Sequence, residues 1–172
     1  MKKLHLILLL VIASFNVPNL CFGQDNATRI KELEDRIKNA TQDTVRADTY
    51  IDLSQLYPND PQKRVEYTKK ALEYAKKTDF IYFKHRASVS LAMNYYDAGD
   101  LTNSLKYFKE TLEYIPISLK TTKDPVRKDK IRYHQAIAYN GIGSIALDKE
   151  DLPLALETFL NAIRTCWEIK FG

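Results

Sequence analysis

Residues 91–111, LAMNYYDAGDLTNSLKYFKET, and residues 142–162, IGSIALDKEDLPLALETFLNA, share one spacing of apolar and small side chains. In each stretch a Leu-Ala or Ile-Gly pair is followed, 13 residues after its first member, by a small residue. A Phe follows four residues later, and another small residue three residues after that. Apolar residues recur every three or four positions, which is the period of an α-helix. The two stretches therefore predict two copies of one helical hairpin.

Small side chains at equivalent places in the two copies explain how the predicted helices pack. Ala92 and Gly143 on the first helix of each hairpin let the second helix come close. A small residue near the start of the second helix likewise lets the first helix come close. The rings of Phe108 and Phe159 then fill the space between each hairpin and its neighbour.

Helical spacing begins at about Thr28, and no run of alternating β-branched residues occurs, so an all-α fold is predicted. Pro58 and Pro116 are predicted to end the second and fifth helices, because proline lacks the N–H that a helix interior needs. The predicted helices cover about residues 27–40, 41–57, 61–75, 80–98, 101–115, 128–148 and 153–170. A degenerate hairpin thus precedes the two regular ones, with a shorter turn and Arg64 where a small residue is expected.

This pattern resembles the tetratricopeptide repeat (TPR), whose motif runs W-x2-L-G-x2-Y, then A-x3-F and a last small residue. The copies are 38 and 51 residues apart, so the resemblance is to irregular members with long helices. It implies a TPR-like α-α hairpin solenoid of about three repeats plus a leading helix. The parts expected are a leading helix at 24–42 and repeats within 43–172, at about 43–79, 80–116 and 128–170. Such a fold is a frame for many different sites and does not give the function.

The first 23 residues are predicted to be a signal peptide. Lys2-Lys3 precedes the apolar run Leu4–Phe15, and the small residues Cys21 and Gly23 favour cleavage after Gly23. A run of about 12 residues is shorter than the roughly 20 needed to span a bilayer. The mature chain is therefore expected to begin at Gln24 and to be periplasmic or otherwise extracytoplasmic. The alternative is an uncleaved N-terminal anchor.

Charge and cysteine content restrict the partners and the stabilising forces. The whole chain carries 26 − 22 = +4, and loss of Lys2 and Lys3 leaves 24 − 22 = +2 on the mature part. A near-neutral surface is poorly suited to neutralising a row of phosphates, so nucleic acid is not an expected partner. Cys166 is the one cysteine left after cleavage, so no internal disulfide is expected, and we predict it to be half-buried.

Neither a catalytic nor a metal-binding motif is predicted, and no cofactor is expected. His85 and His134 have no second ligand three or four residues away, so each is interpreted as a packing or solvated side chain. Gly141-x-Gly143 lies inside a predicted helix, where close helix contact explains it better than phosphate binding. Most tyrosines fall at helical spacing and are predicted to be core residues. The chain is therefore predicted not to be an enzyme.

The resemblance also implies where a partner would bind, because the first helix of each pair lines the concave face of a repeat stack. The alternative is that this face is merely solvated. Ile51, Val89, Ile137 and Gly141 are placed on the same face. Some members grip a peptide carboxylate with Lys, Asn and Arg at fixed positions, and these residues are missing here, because the matching positions hold Ile51, Gln55, Ser90, Ile137 and Gly141. The partner-binding residues predicted on this face are Asp48, Asp52, Gln55, Arg86, Ser90, Met93, Asp97, Asn140, Ser144 and Asp148.

Two functions follow as hypotheses. The first is an exported, non-catalytic protein–protein interaction scaffold that binds a protein or peptide segment on the concave face. The alternative is the extracytoplasmic sensor segment of a membrane-bound two-component signalling protein, because the order of signal peptide, leading helix and repeats resembles such bacterial sensor kinases and regulators. Large apolar residues near the end, at Trp167, Ile169 and Phe171, predict either a fragment of a longer protein or self-association through this end.

Overall fold

The structure, a computed structural model, describes the backbone of residues 22–171 and the side chains of residues 26–170. Within that range the chain is all-α and contains no strand, as predicted. The helices are α1 (Phe22–Asn39), α2 (Asp43–Gln55), α3 (Pro61–Lys76), α4 (Ile81–Asp97), α5 (Leu101–Thr121), α6 (Pro125–Asp148) and α7 (Leu152–Phe171). Apart from its last two residues, the predicted signal peptide lies outside the described residues.

Sequential helices pair into the predicted hairpins α2–α3, α4–α5 and α6–α7, and each hairpin packs on the next through α3–α4 and α5–α6. The first helices of the hairpins form a row in which α4 contacts both α2 and α6. This is a helical-hairpin solenoid. It belongs to the compact unit Leu33–Gly172, and the first turns of α1 belong to a separate unit that ends at Glu32.

The fifth helix runs past Pro116, so the prediction that this proline ends it is wrong. Pro116 lies inside α5 on an exposed position, where its ring and missing N–H disturb one turn without entering the core. Ile115 and Ser118, on either side, are both buried. Burial of these two side chains keeps the helix continuous to Thr121, and α6 then starts at Pro125, three residues earlier than predicted.

Aspartates set the start of the second helix in every hairpin. Asp60, Asp100 and Asp151 each accept a hydrogen bond from the backbone N–H three residues further on, at 2.9, 3.0 and 3.2 Å. These bonds satisfy N–H groups that have no partner inside the helix. Asp124 caps α6 in a similar way, and Pro125 takes the first helical position, where its missing N–H costs nothing.

The turn before the second helix contains a left-handed residue in both regular copies. Gly99 has φ +78°, and the equivalent Glu150 has φ +60°. This conformation costs a residue with a Cβ roughly 1 kcal/mol or more of conformational free energy, whereas glycine adopts it readily. The backbone at Glu150 is therefore strained, whereas that at Gly99, its counterpart in the preceding hairpin, is not.

Replacing Glu150 by glycine should stabilise the protein. We expect Glu150→Gly to raise the free energy of unfolding by about 1 kcal/mol, measured by urea denaturation followed by circular dichroism. Gly99→Ala is the matched control and should lower stability, because no atom lies within 4 Å of the added Cβ and the loss reports the backbone alone. Equal stability of Glu150→Gly and the wild-type protein would contradict the left-handed turn.

The core of the solenoid consists of two adjoining clusters of buried side chains. The first joins α2, α3 and α4 through Ala47, Ile51, Val65, Ala71, Leu72, Ala75, Ala87, Leu91 and Tyr95. The second joins α4, α5 and α6 through Val89, Ala92, Phe108, Ala138, Ile142 and Ile145. Small residues are frequent in both clusters, which lets the helices approach closely.

Two contacts confirm the packing predicted for the small residues. Ser104 Oγ donates a hydrogen bond to the Ala92 carbonyl oxygen at 2.9 Å, which joins α5 to α4 where both side chains are small. A Cβ on Gly143 would lie 2.7 Å from Cε1 of Phe159, which is closer than real contacts allow. The predicted register of the two regular hairpins is therefore correct.

Helix α7 packs on α6 through one side and exposes the other. Its buried residues are small, with Ala155, Thr158, Ala162 and Thr165 at helical spacing. Cys166 was predicted to be half-buried and is instead exposed, because it lies beyond this narrow packed stripe. Among the described residues no helix is both long and apolar enough to cross a membrane.

Candidate functional site

The row of first helices carries all ten predicted partner-binding residues, and every one of them is at least partly exposed. We call this surface the α2–α4–α6 face. Ile51 and Val89, which the resemblance also placed on this face, are only 3% and 2% exposed. They point into the two core clusters instead, so their assignment to the binding face is wrong.

Three of the predicted residues form one ion cluster between α2 and α4. Arg86 Nη1 pairs with Asp48 Oδ1, and Arg86 Nη2 lies 3.5 Å from Asp52 Oδ1. Burial raises the pKa of the Asp48 carboxyl above its ordinary value, and the adjacent Arg86 guanidinium opposes that shift. These side chains hold two helices together and are not free to bind a partner without breaking that link.

Two further predicted acids are also used between helices. Asp97 Oδ2 lies 2.7 Å from Nη2 of Arg64, which ties α4 to α3. Asp148 Oδ2 accepts a hydrogen bond from the hydroxyl of Tyr96 at 3.3 Å, which ties α6 to α4. Arg64, which occupies a position where the repeat favours a small residue, thus has a specific structural partner. Acidic residues of this face mainly fix its shape.

An apolar hollow of about 150 Å³ opens on this face between α4 and α6. The hollow has an apolar floor and a polar rim. Four of its residues, Met93, Asp97, Asn140 and Ser144, were predicted to bind the partner, and all but Ser144 are exposed. Ile137 and Gly141 were also placed on this face. The complete lining is Met93, Tyr96, Asp97, Phe108, Ile137, Asn140, Gly141 and Ser144. We call this site the α4–α6 hollow.

The hollow owes its depth to a glycine. Gly141 has no side chain, and a Cβ placed there would lie 2.2 Å from Cε2 and Cζ of Phe108 on α5. The ring of Phe108 therefore reaches the floor of the hollow although it belongs to a helix outside the row. The prediction that close helix contact accounts for Gly141 is confirmed, whereas neither Phe108 nor Tyr96 was predicted on the face.

A larger cleft of about 780 Å³ lies at the other end of the same face, where α4 and α6 begin. Aromatic rings and charged side chains line it together. Arg127 lies over the ring of Tyr82, with its guanidinium carbon 5.5 Å from the ring centre. The lining comprises Asp48, Phe80, Tyr82, Phe83, Arg86, Asp124, Val126, Arg127, Asp129, Lys130, Tyr133, His134 and Ile169. We call it the aromatic cleft.

The cleft combines unpaired positive charge with an exposed ring. Within the described part of the chain, no carboxylate lies within ion-pair distance of Arg127 or Lys130, whereas Arg86 is already paired. Tyr133 belongs to the tyrosines at helical spacing, most of which were predicted to be core residues, but it is 59% exposed beside these cations because it points away from the stripe of α6 that packs. The carboxylates of the lining are already engaged, since Asp48 pairs with Arg86, Asp124 caps α6 and Asp129 lies 3.8 Å from Arg132. The cleft can therefore receive a ligand that offers apolar surface together with negative charge for Arg127 and Lys130.

Two histidines meet at the wall of the aromatic cleft. His134 Nδ1 lies 3.2 Å from His85 Nδ1, and His85 Nε2 lies 3.1 Å from Ser118 Oγ. Burial is the main reason why the pKa of His85 falls to about 3 and that of His134 to about 4, and the neighbouring Arg86 guanidinium adds to both shifts. Both rings are therefore neutral near pH 7.

Sequence reasoning treated these histidines separately, although the repeat register could have paired them. A shift of 51 residues places His134 level with Phe83, two residues from His85 on the neighbouring helix. No cluster of three or more His, Cys, Asp or Glu side chains suited to a metal occurs among the described residues. The histidine pair is best explained as a partly buried polar link between α4 and α6, with His85 inside and His134 at the cleft.

Comparison of the sequence with protein-family models gives no match, and comparison with curated proteins finds no similar sequence. The resemblance to the tetratricopeptide repeat therefore rests on the motif and on the helical-hairpin architecture. Function has to be inferred from the chemistry of the α2–α4–α6 face itself.

Proposed function

We propose that this protein is an exported, non-catalytic interaction module of the tetratricopeptide type, which holds a segment of a partner protein along the α2–α4–α6 face. The observation that carries the proposal is the arrangement of two recesses of different chemistry on one face. The α4–α6 hollow is apolar with a polar rim, and the aromatic cleft offers rings and unpaired cations. Export rests on the predicted signal peptide, residues 1–23.

The α4–α6 hollow suits a single apolar side chain of the partner. Its volume of about 150 Å³ matches one side chain better than a small-molecule ligand. Burying a Leu, Met or Phe side chain contributes roughly 1.5–3 kcal/mol. Met93 is flexible enough to adapt to different shapes, and the exposed amide of Asn140 at the rim can bond a peptide backbone.

The aromatic cleft suits an acidic residue of the same segment. Lys130 lines the cleft and Ile137 lines the hollow, and these two residues lie seven positions apart on α6. Seven residues of α-helix span about 10 Å, which corresponds to roughly three residues of extended peptide. The preferred segment therefore carries an apolar residue and an Asp or Glu about three residues away, with an expected dissociation constant in the micromolar range.

Selection of peptides from a random library displayed on phage tests the proposal. Selected peptides should share the apolar–acidic spacing and bind the purified protein with micromolar affinity in fluorescence anisotropy. Met93→Glu should remove binding, because it puts a charge into the hollow, and Lys130→Glu should weaken it at least roughly tenfold.

Lys109→Glu is the matched control, because it makes the same charge change on an exposed position of α5, outside the row of first helices. This variant should bind like the wild-type protein. The proposal fails if no peptide family is enriched, or if the selected peptides bind all three variants equally well.

A further inference from the structure

The outer side of α7 exposes a continuous row of apolar side chains. Leu156 and Trp167 are 63% and 62% exposed, and Leu160 and Ile163 between them are 51% and 54% exposed. The intervals of four, three and four residues place all of them on one stripe of the helix. Leu152 extends the stripe by one turn toward the start of α7. We call this surface the α7 stripe.

The equivalent surface of the preceding hairpin is covered by a helix. A shift of 51 residues relates Leu105 and Leu112 of α5 to Leu156 and Ile163 of α7. In α5 both leucines are partly buried and pack against the core cluster that α6 completes. The α7 stripe therefore has the side-chain chemistry of a helix-packing surface rather than that of a solvated one.

The charges at the edge of the stripe decide how a second helix of the same kind would align. Glu157 and Arg164 are both exposed and each directly follows a member of the stripe. In a parallel pair the two-fold axis runs along the helices and puts the Glu157 side chains of the two copies on opposite edges, so Glu157 and Arg164 do not meet each other. In an antiparallel pair centred between Leu160 and Ile163, Glu157 of each copy lies beside Arg164 of the other. Charge complementarity thus favours the antiparallel arrangement.

We propose that two copies of this chain associate about a two-fold axis through antiparallel α7 helices. Leu160 of each copy packs against Ile163 of the other, and Leu156 packs against Trp167, so the surface is complementary to itself. Ile169 takes no part, because it is half-buried and lines the aromatic cleft instead. The stripe is about 22 Å long, and one helix pair of that length buries less than the roughly 800 Å² per partner of a standard interface. The dimer therefore dissociates in the micromolar range.

Sedimentation equilibrium of the purified full chain tests the dimer, with protein from about 1 to about 200 μM. Wild-type protein should pass from monomer to dimer over this range. Leu160→Lys should leave it monomeric throughout. Glu157→Arg should weaken association at least about fivefold, since it brings two arginines together at each end of the interface.

The charge exchange Glu157→Arg/Arg164→Glu gives the sharpest readout, because it should restore the wild-type dimer. All these positions are exposed, so thermal unfolding of each variant at about 1 μM, where the wild-type protein is also monomeric, should match that of the wild-type protein and exclude a folding defect. A wild-type monomer at the highest concentration overturns the proposal, and so does association that Leu160→Lys leaves intact. Failure of the double exchange to restore the dimer overturns the antiparallel alignment.

Discussion

Gly141→Leu should destabilise the protein by about 3 kcal/mol, at the upper end of what overpacking a core costs. The first added atom would already lie 2.2 Å from two carbons of the Phe108 ring. Phe108 is only 2% exposed and cannot move away without disturbing the cluster between α4, α5 and α6. The gain of about 1 kcal/mol in helix propensity does not offset this overlap. Urea denaturation followed by circular dichroism measures the difference.

Two variants separate overlap with Phe108 from other causes. Asn140→Leu introduces the same side chain one position earlier, where the residue is exposed, and should change stability little. In a Phe108→Ala background, Gly141→Leu should cost much less than in the wild-type protein, because the new side chain can enter the vacated space. Equal losses in both backgrounds would show that the two residues do not meet and that Phe108 does not form the floor of the α4–α6 hollow.

The sequence was sufficient to predict the contacts that the repeat itself imposes. The small residues Ala92 and Ser104, and Phe108 four residues after Ser104, have counterparts 51 residues further along the chain. The periodic apolar positions then leave one way to pack the helices of each hairpin. The resemblance to the tetratricopeptide repeat placed ten residues on the face formed by the first helices, and all ten are at least partly exposed. These features depend on local spacing, which a single sequence contains.

Contacts between charged or polar side chains of different helices could not be predicted in the same way. Arg86 pairs with Asp48 and Asp52 because of the distance at which α2 packs against α4. The spacing of residues in the sequence does not determine that distance. The continuation of α5 through Pro116 likewise depends on burial of its neighbours. The exposure of Cys166 follows from how narrow the packed side of α7 is. Each of these outcomes is decided by tertiary packing.

The buried histidine pair should make the protein sensitive to mild acid. Because His85 and His134 keep pKa values of about 3 and 4 in the folded protein, both remain neutral at pH 5. In the unfolded chain each returns to its ordinary value of 6.5 and takes up a proton as the pH falls below it. The unfolded state then binds about two more protons than the folded state, so stability decreases as the pH decreases.

The free energy of unfolding should fall by about 4 kcal/mol between pH 7.5 and pH 5. The figure corresponds to two protons taken up by the unfolded chain over the roughly 1.5 pH units below the ordinary pKa of histidine. Urea denaturation at half-unit intervals of pH measures it. The interval stops at pH 5 because most carboxylates titrate below that value.

His85→Phe/His134→Phe is the matched variant, because it keeps two rings between α4 and α6 and removes both titrating groups. Its stability near pH 7 can differ from that of the wild-type protein, but its stability should change little between pH 7.5 and pH 5. Protonation of the ring that accepts across the 3.2 Å contact would bring two N–H groups face to face, which adds to the effect of burial. Equal pH slopes for the variant and the wild-type protein would mean that the two rings are exposed to water and do not form the link between α4 and α6.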